Sequence, residues 1–429
     1  MALLHAHALF LIFTVFIIIT SFSSETSCFR LHDSRAYTTS RIVSIPSTST
    51  STSPPNPELL NVDAFGAKGD GGDDTQAFKK AWREACSSKD SVLVVPQNRS
   101  YHLKPITFKG PCNSNFTFKV YGTIKASPRK SDYQKHKRQW LVFQNVQNFT
   151  VEGGGTGTIN GNGKRWWNNS CKINKTLPCT HAPTAVTFLN CNNLTVDNLR
   201  IKNAPQMHLT FQRCSNVKAS RLVVTAPGHS PNTDGIHVTE TQNIHIQNCI
   251  IGTGDDCISI VSGSENVEAT DITCGPGHGI SIGSLGASGS SDYVSNVLVD
   301  RAILSGTTNG LRIKTWQGGS GYAKNITFQN VEMHSVQNPI IINQYYCDKK
   351  EPSCSEQASA VKVSNIVYKN ITGVSASEEA INFKCSKSFP CREIWLEDVN
   401  LAYQEDESVK ASCESVKYLT NQGNVSPSC

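Results

Sequence analysis

The chain has 429 residues, of which 38% are hydrophobic and 17% charged, a composition typical of a globular protein with a sizeable core. Its formal charge of +6 suits a polyanionic partner but argues against the dense basic surface of a nucleic-acid-binding protein. No segment reaches the roughly 18 apolar residues that a membrane-spanning helix needs, so we expect no nucleic-acid partner and no membrane association.

The segment 1–58 differs in composition from the rest of the chain. Its positions 8–20, ALFLIFTVFIIIT, form an apolar run that is typical of a signal peptide. The positions before this run include His5 and His7 but no Lys or Arg, which departs from the usual signal and leaves a buried helix as the alternative. We expect a signal peptide over 1–24, a Ser/Thr/Pro-rich pro-segment or linker over 25–58, and one folded domain over 59–429.

Residues 73–86, DDTQAFKKAWREAC, show one clear amphipathic helical pattern. Asp73 and Asp74 at its start are expected to form a loop and a helix N-cap, although they resemble catalytic carboxylates. Strong helix signals are nearly absent after residue 86.

From about residue 140 onward, one phrase recurs that opens with Asn and continues with alternating apolar and polar residues. Such alternation predicts short strands, and the Asn suits a turn that needs a left-handed residue. The recurrent segments are NFTVEGG at 148, NLTVDNL at 193, NVKASRL at 216, NIHIQNC at 243, NVEATDI at 266, NVLVDRA at 296, NITFQNV at 325 and NIVYKNI at 365.

Short strands at a nearly fixed period without helices predict a solenoid. The fold class is therefore predicted as all-β, a right-handed single-stranded parallel β-helix with an N-terminal capping α-helix over 73–86. A propeller or sandwich is the alternative, but those folds expect antiparallel hairpins with tight turns.

Four polar stretches interrupt the predicted coils: NTDG at 232, GDD at 254, GHG at 277 and RIK at 312. The interval from Asp234 to Asp256 equals the interval from Asp256 to His278. If one coil has this length, these side chains stack in one column, with Arg312 and Lys314 at its end. The longer interval before Arg312 is explained by the Gly/Ser-rich loop SLGASGSSDY.

Three crowded carboxylates cannot all ionise at their normal pKa, which would leave a protonated acid beside ionised bases. Glycoside hydrolysis needs this division of roles. Arg312 and Lys314 suit the recognition of a carboxylate on the ligand. The glycines that flank the motifs are expected to let a chain-like ligand approach the backbone.

The 16 cysteines predict disulfides in an oxidising compartment, and the absence of a CxxC pair argues against zinc. Cys191, Cys214 and Cys249 follow the strand pattern and are expected to stay reduced. Nine N-glycosylation sequons point to an extracellular glycoprotein. The expected disulfide pairs are Cys171–Cys179, Cys257–Cys274, Cys347–Cys354, Cys385–Cys391 and Cys413–Cys429.

The four motifs, in this order on a β-helix, resemble the polygalacturonases of glycoside hydrolase family 28. The likeness extends from NVDAFGAKGDG at 61 to the C-terminal cysteines, and the segment QYYCD resembles the plant enzymes. The resemblance implies hydrolysis of α-1,4 bonds in de-esterified pectin, with inversion and without a metal or cofactor. It implies Asp255 as general acid, Asp234 and Asp256 as water-activating bases, His278 beside Asp255, and a substrate-binding set of Arg312, Lys314, Asn232 and Tyr346.

Several expectations follow from this resemblance. We expect a secreted, monomeric, endo-acting enzyme of the plant cell wall that cell-wall inhibitor proteins can recognise, with exo action as the alternative. A pectate lyase would need Ca²⁺, and a non-catalytic pectin-binding protein would not need all three aspartates. Inverting enzymes usually have well-separated carboxylates, whereas stacked coils predict closer ones.

Overall fold

The computed structural model describes residues 58–113, 115–347, 356–403 and 408–429. The predicted signal peptide and almost all of the predicted pro-segment lie outside these residues. In the part that the structure describes, no helix is long and apolar enough to cross a membrane.

The domain is a right-handed parallel β-helix, as predicted, and every strand pairing in the described ranges is parallel. One sheet, here called the site sheet, has eleven strands within these ranges. In spatial order they are Ile106–Lys109, Gln139–Gln144, Thr184–Leu189, Leu209–Gln212, Ile236–Thr239, Ile258–Ile260, Ile280–Leu285, Asn309–Thr315, Asn338–Asn343, Glu379–Lys384 and Lys410–Glu414.

The second sheet, here called the long sheet, has nineteen strands within the same ranges. In chain order they are Glu58–Asn61, Asp70–Asp73, Ser91–Val95, Ser100–Leu103, Phe116–Val120, Thr123–Ala126, Gln147–Glu152, Thr158–Asn160, Asn192–Asp197, Arg200–Lys202, Ser215–Ser220, Val223–Thr225, Gln242–Gly252, Ser264–Cys274, Ser291–Ser305, Ser320–Val336, Lys362–Ser375, Cys391–Tyr403 and Val416–Ser426. Short 3₁₀ helices span Val62–Phe65, Lys130–Tyr133 and Ala287–Gly289.

Inward-facing side chains stack from coil to coil and form the core. Ile236 pairs with Ile258, Ile258 with Ile280, and Ile280 with Leu311, and each of these side chains is fully buried. The first two steps have the same length as the interval between the motifs, and the third is longer because the Gly/Ser-rich loop intervenes. This register confirms the coil length predicted from the motifs.

The recurrent asparagines form the turns that the repeat predicted. Asn193, Asn216, Asn243 and Asn266 all have positive φ between 53° and 56°. Their side chains also bond to one another, since Asn266 Nδ2 donates to Asn243 Oδ1 at 2.9 Å and Asn243 Nδ2 to Asn216 Oδ1 at 3.2 Å. The short amide side chain thus tolerates the left-handed turn and links neighbouring coils.

The predicted capping helix, α1, spans Thr75–Ser87. Its Trp82 packs against Phe108 and Phe116 with ring centroids 4.8 and 4.7 Å apart, so the helix covers the first core layer. Asp74 occupies the N-cap position, but its side chain does not cap the helix; it accepts from the Lys68 backbone N–H at 2.7 Å. A second helix, α2, spans Lys164–Trp167 and was not predicted.

Four predicted disulfides are present: Cys171–Cys179, Cys257–Cys274, Cys385–Cys391 and Cys413–Cys429. Cys347 is disulfide-bonded, and its predicted partner Cys354 lies outside the described residues. Cys86 bonds Cys112, which the rule of close sequence neighbours missed because the two are 26 residues apart. Cys191, Cys214 and Cys249 are buried free thiols, as predicted.

Candidate active site

All eight predicted site residues line one cavity of about 670 Å³ on the site sheet. The three aspartates and His278 lie in the turns that precede three consecutive strands of the site sheet. Arg312 and Lys314 lie on the next strand, Asn309–Thr315. The eight residues are Asn232, Asp234, Asp255, Asp256, His278, Arg312, Lys314 and Tyr346.

Asp256 is buried and fully paired with cations. Arg312 Nη2 donates to its Oδ1 at 2.6 Å, and Lys314 Nζ donates to its Oδ2 at 2.8 Å. Ser281 Oγ also donates to Oδ1 at 2.9 Å and accepts from Arg312 Nε at 3.0 Å. These contacts fix the Asp256 side chain and both cations at the base of the cavity.

Asp255 points to a different set of partners from its neighbour. Its Oδ1 lies 3.0 Å from His278 Nδ1, and its Oδ2 accepts from Asn232 Nδ2 at 3.4 Å. Burial raises the pKa of Asp255, but the hydrogen bond and charge of His278, together with the charge of Lys314, outweigh burial and leave that pKa lowered. The hydrogen bond with Asp255 in turn raises the pKa of His278. The two groups therefore hold one proton as a pair.

Asp234 is the carboxyl group of the cavity whose pKa is raised. Burial is the main cause, and the negative charges of Asp255 and Asp256 add to it, against a lowering by His237. His237 Nδ1 lies 3.7 Å from Asp234 Oδ2 and 3.1 Å from Ser259 Oγ. The sequence analysis predicted that crowding would raise the pKa of at least one carboxyl group, and in the structure this group is Asp234.

A buried histidine, His208, holds the backbone of Asp234. Its Nε2 accepts from the Ala204 N–H at 3.2 Å, so its Nδ1 carries the hydrogen and donates to the Asp234 carbonyl at 3.0 Å. Burial lowers the pKa of His208 to about 4, which keeps this ring neutral. Thr233 links this turn to the next coil, since its Oγ1 accepts from the Gly254 N–H at 3.0 Å.

The sequence analysis missed His237, Ser259 and Ser281, although the signal was available. These three stand in one row of the site sheet that continues to Arg312. They recur at the same interval as Asp234, Asp256 and His278, so the period that predicted the acidic column also predicts this row. His208 had no such signal, because no motif surrounds it.

Tyr346 and its neighbour Tyr345 face different surroundings. Tyr346 lines the cavity, and its ring centroid lies 5.4 Å from Lys314 Nζ. The hydroxyl of Tyr345 instead accepts from the Lys387 N–H at 3.2 Å.

The glycines of the motifs serve the packing of the coils, and Gly254 also lines the catalytic cavity, so their role in the approach of a ligand to the backbone stays a prediction. A Cβ on Gly254 would lie 2.0 Å from the Ser230 carbonyl oxygen, and one on Gly235 would lie 2.6 Å from the Cys257 carbonyl oxygen. Gly279 has a φ of 80°, and its Cβ would meet the Asn309 oxygen at 2.1 Å. Adjacent coils approach too closely at these turns for any side chain.

Asp255, Asp256 and His278 have donor atoms within 4.8 Å of one another, a spacing that a metal ion could use. Both oxygens of Asp256 already accept from cations, and Arg312 and Lys314 would repel another one. The donor set therefore fits a hydrogen-bonded charge network better than a metal site.

Comparisons with known proteins agree with this fold. The profile described as "Glycosyl hydrolases family 28" matches residues 86–429. Polygalacturonase QRT2 of Arabidopsis thaliana is 62% identical over 377 residues, which cover 87% of this chain and 85% of that protein.

The chain belongs to glycosyl hydrolase family 28.

Other relatives support the assignment, so the family prediction is confirmed. Polygalacturonase-2 of Solanum lycopersicum is 57% identical, with 87% of this chain and 81% of that protein covered. A solved endo-xylogalacturonan hydrolase from Aspergillus tubingensis has a TM-score of 0.70 at 21% identity and covers 85% of this chain and 99% of its own. A polygalacturonase from Erwinia carotovora has a TM-score of 0.67 at 23% identity, with the same coverages. These structures share the β-helix fold of this family 28 chain.

Proposed function

We propose that this chain is a polygalacturonase that hydrolyses α-1,4-galacturonosidic bonds of de-esterified pectin. The observation that carries the proposal is the column of Asp234, Asp255 and Asp256, largely buried at the base of a cavity that also presents Arg312 and Lys314. Carboxyl groups supply the acid and base of glycoside hydrolysis, and the cations suit a substrate that carries one carboxylate on every sugar. Relatives up to 62% identical are named polygalacturonases.

In this proposal, Asp255 donates a proton to the leaving glycosidic oxygen. The His278–Asp255 pair holds that proton in the ligand-free state. A bound anionic substrate raises the affinity of the pair for the proton and favours its transfer along the 3.0 Å contact to the carboxyl group. Asp234 and Asp256 activate the attacking water, with the Asp256 side chain held in place by its hydrogen bonds from Arg312 and Lys314.

Arg312 and Lys314 also bind the substrate carboxylate. Each cation keeps N–H donors beyond those given to Asp256 and Ser281, since a guanidinium has five and an ammonium three. Tyr346 stands beside Lys314 and offers a ring face to the sugar. Asn232, exposed at the rim of the cavity, orients Asp255 and contacts the adjacent sugar.

We infer inversion from the family and endo action from the groove. The catalytic cavity shares Asn232 and Pro231 with a second cavity, so the groove continues past the reacting bond on that side. The proximity of Asp255 to Asp256 departs from the separation of about 6.5–9.5 Å typical of inverting enzymes, which makes the stereochemistry worth testing directly.

The enzyme is proposed to act as a secreted monomer in the plant cell wall, where inhibitor proteins can recognise it. Nine sequons and the disulfides suit this oxidising compartment.

The test is the activity of Asp255→Asn on polygalacturonate, with early products sized by chromatography. We expect kcat to fall about 10³-fold because the proton donor is lost. Asp271→Asn, an exposed carboxylate paired with Arg301, is the matched control and should retain full activity. Wild-type activity in the mutant would refute the assignment, and early release of monomer alone would refute endo action.

Two further readouts address the reaction type. NMR of the first anomer formed should show inverted configuration, and a retained configuration would refute the roles of Asp234 and Asp256. If the reaction needed Ca²⁺ and its products absorbed ultraviolet light, the protein would be a lyase instead. Tight binding of pectin without cleavage would identify a pectin-binding protein.

A further inference from the structure

His237 lines the catalytic cavity but has no part in the reaction as proposed above. It lies on strand Ile236–Thr239, three residues after Asp234, and only 15% of its side-chain surface is exposed. A histidine beside a reacting carboxyl group can hold that group in place or exchange a proton with it. The contacts of Asp234 show which of these roles the geometry supports.

The two proposed bases differ in how their oxygens are occupied. Asp256 Oδ1 accepts from Arg312 and Ser281, and its Oδ2 accepts from Lys314, so three of its roughly four acceptor sites are taken. Within the described ranges, no side-chain donor lies within hydrogen-bond distance of the Asp234 oxygens. Asp234 is therefore the base whose carboxylate is free to take a proton from water, whereas Asp256 can at most orient that water.

His237 is the imidazole that stands beside this carboxylate. Its Nδ1 lies 3.7 Å from Asp234 Oδ2 and 3.1 Å from Ser259 Oγ. Ser259 is paired with His237 across the neighbouring strand, so its hydroxyl holds Nδ1 on this side of the ring. In the part of the chain that the structure describes, no other Lys, Arg or His nitrogen lies within 4.0 Å of the Asp234 oxygens. Contacts of this length in ligand-free sites commonly shorten in the substrate complex.

The arrangement mirrors the acid side of the cavity. There, His278 Nδ1 lies 3.0 Å from Asp255 Oδ1. Each of the two carboxyl groups that exchange a proton with substrate or water thus has its own imidazole, and in both cases Nδ1 is the nitrogen that faces it. A neutral imidazole can accept a proton from one carboxyl group as readily as an imidazolium can supply one to the other.

A proton on His237 has a route to solvent. The ring also borders a third cavity of about 260 Å³, whose lining includes Thr210, Gln212 and Thr239. Thr210 is paired with His237 across the strand on the other side from the catalytic turn of Asp256. A cavity of this size with hydroxyl and amide groups on its wall is roomy and polar enough for water.

We propose that Asp234 and His237 act together as the base, in that Asp234 takes the proton of the attacking water and passes it to His237 Nδ1. One O–H bond of water breaks as its oxygen bonds the anomeric carbon, the glycosidic C–O bond breaks, and Asp255 protonates the leaving oxygen. His237 then releases its proton to water, which restores the Asp234 carboxylate for the next turnover. This inference rests on the proposed function, and His237 acts through Asp234 without contact with the sugar.

The test is chemical rescue of His237→Ala. We expect its kcat on polygalacturonate to fall about 10- to 100-fold, with KM within about twofold of wild type, because the proton stays on Asp234. The space left by the ring opens to the third cavity, so imidazole in the buffer should enter and recover part of the lost kcat in a saturable way. Wild type and Asp234→Asn should not respond to imidazole, since the first has its own ring and the second has no carboxylate.

His245→Ala is the matched control, since His245 lies on the long sheet, bonds Thr270 and lines none of these cavities. It should keep wild-type kcat with and without imidazole. A His237→Ala enzyme within about twofold of wild-type kcat would overturn the pair. So would a loss that imidazole does not recover in a variant that melts at the wild-type temperature. Either result with an active wild type leaves the hydrolase intact, whereas a wild type that fails to cleave polygalacturonate refutes the proposed function itself.

The pH profile of His237→Phe is a second readout. Phe fills the same space and keeps Asp234 buried, but it removes the group that opposes the effect of burial on the pKa of Asp234. That pKa should rise, so the acid limb of kcat/KM should move to higher pH, and an acid limb that stays in place would contradict the pair. The other charged or titratable groups that border these two cavities stay unchanged in this variant: Arg138, Lys172, His181, Asp255, Asp256, His278, Arg312, Lys314 and Tyr346.

Discussion

At the scale of single residues, adjacent Asp255 and Asp256 differ because they face different partners. Asp256 binds Arg312 and Lys314, whereas Asp255 binds His278 and Asn232. The sequence predicted that the two would not be equivalent. It did not predict that the raised pKa would fall on Asp234, because the burial of that side chain cannot be inferred from motif spacing.

The pH profile of kcat/KM should report the His278–Asp255 pair. The hydrogen bond with Asp255 and the charges of Asp255 and Asp256 raise the pKa of His278 against burial, so the pair loses its proton only as pH rises above about 6.5. In His278→Gln the proton is held by Asp255 alone, and because a carboxyl group loses its proton at lower pH than an imidazolium, the alkaline limb should move to lower pH. Activity at the optimum should fall about 10²-fold.

The matched control for His278 is His334→Gln, an exposed histidine paired with Glu332 and absent from the cavity lining. An alkaline limb that stays in place in His278→Gln would contradict the shared proton. The raised pKa of His278 implies a stabilising contribution that disappears as pH rises through the raised value, and the lowered pKa of Asp255 implies that it also disappears as pH falls through the lowered value, so the pair stabilises the fold fully only between about pH 3.9 and about pH 6.5.

His208 should have the opposite effect on stability. Burial lowers its pKa to about 4, so between about pH 6.5 and pH 4 the unfolded chain binds a proton that the folded chain excludes. The free energy of unfolding should therefore fall by about 3 kcal/mol across this range from this residue alone. His208→Asn keeps an N–H donor near the Asp234 carbonyl but does not titrate, so this part of the pH dependence should disappear.

Urea unfolding at pH 6.5 and pH 4 measures the His208 effect. The Asn variant also leaves the Ala204 N–H without its acceptor, at a cost of about 1–3 kcal/mol at both pH values. The difference between the two pH values is therefore the decisive quantity. His229→Asn, an exposed histidine, should keep the wild-type pH dependence, and an unchanged dependence in His208→Asn would refute the assignment.

At the scale of elements, strand register was the most predictable feature. Side chains alternate along a strand and coils repeat, so two motifs separated by one coil length had to lie in neighbouring turns. Ile236, Ile258 and Ile280 show this register. The same regularity explains what was missed: α2 is four residues long and too short for a helical period, and Cys86–Cys112 joins segments that are distant in sequence.

The sequence also did not reveal how closely neighbouring coils approach one another. The glycines of the motifs suggested an open backbone, but their Cβ positions are occupied by neighbouring carbonyl groups. Gly283 faces Lys314 across the strand pair, with a Cβ position 2.1 Å from the Lys314 oxygen, so the coils touch here as well. The site therefore depends on packing between coils as much as on the motifs themselves.

At the scale of the whole molecule, the charge is strongly polarised. Residues 129–138 and 164–181, whose Lys and Arg are here called the basic rim, hold a net charge of +8, and the remaining residues together are slightly negative. A polyanionic chain should therefore be attracted to one end of the groove from a distance, which raises the association rate in a salt-dependent way. The Debye length falls from about 20 Å to about 7 Å between about 20 and about 200 mM salt, so this attraction should be largely screened at the upper value.

The prediction is that kcat/KM on a soluble, long oligogalacturonide falls several-fold across this salt range, while kcat at saturation changes little. Lys130→Gln/Lys172→Gln should show a shallower dependence, since part of the rim's charge is gone. Lys362→Gln/Lys417→Gln removes the same net charge from another part of the chain and should keep the wild-type slope. If the salt dependence of kcat/KM became equally shallow in both double variants, net charge alone would explain the effect. If the wild-type enzyme showed no salt dependence, long-range attraction would be refuted. A slope that depends on where the charge lies would show that the rim captures the polymer before Asp255 acts on it.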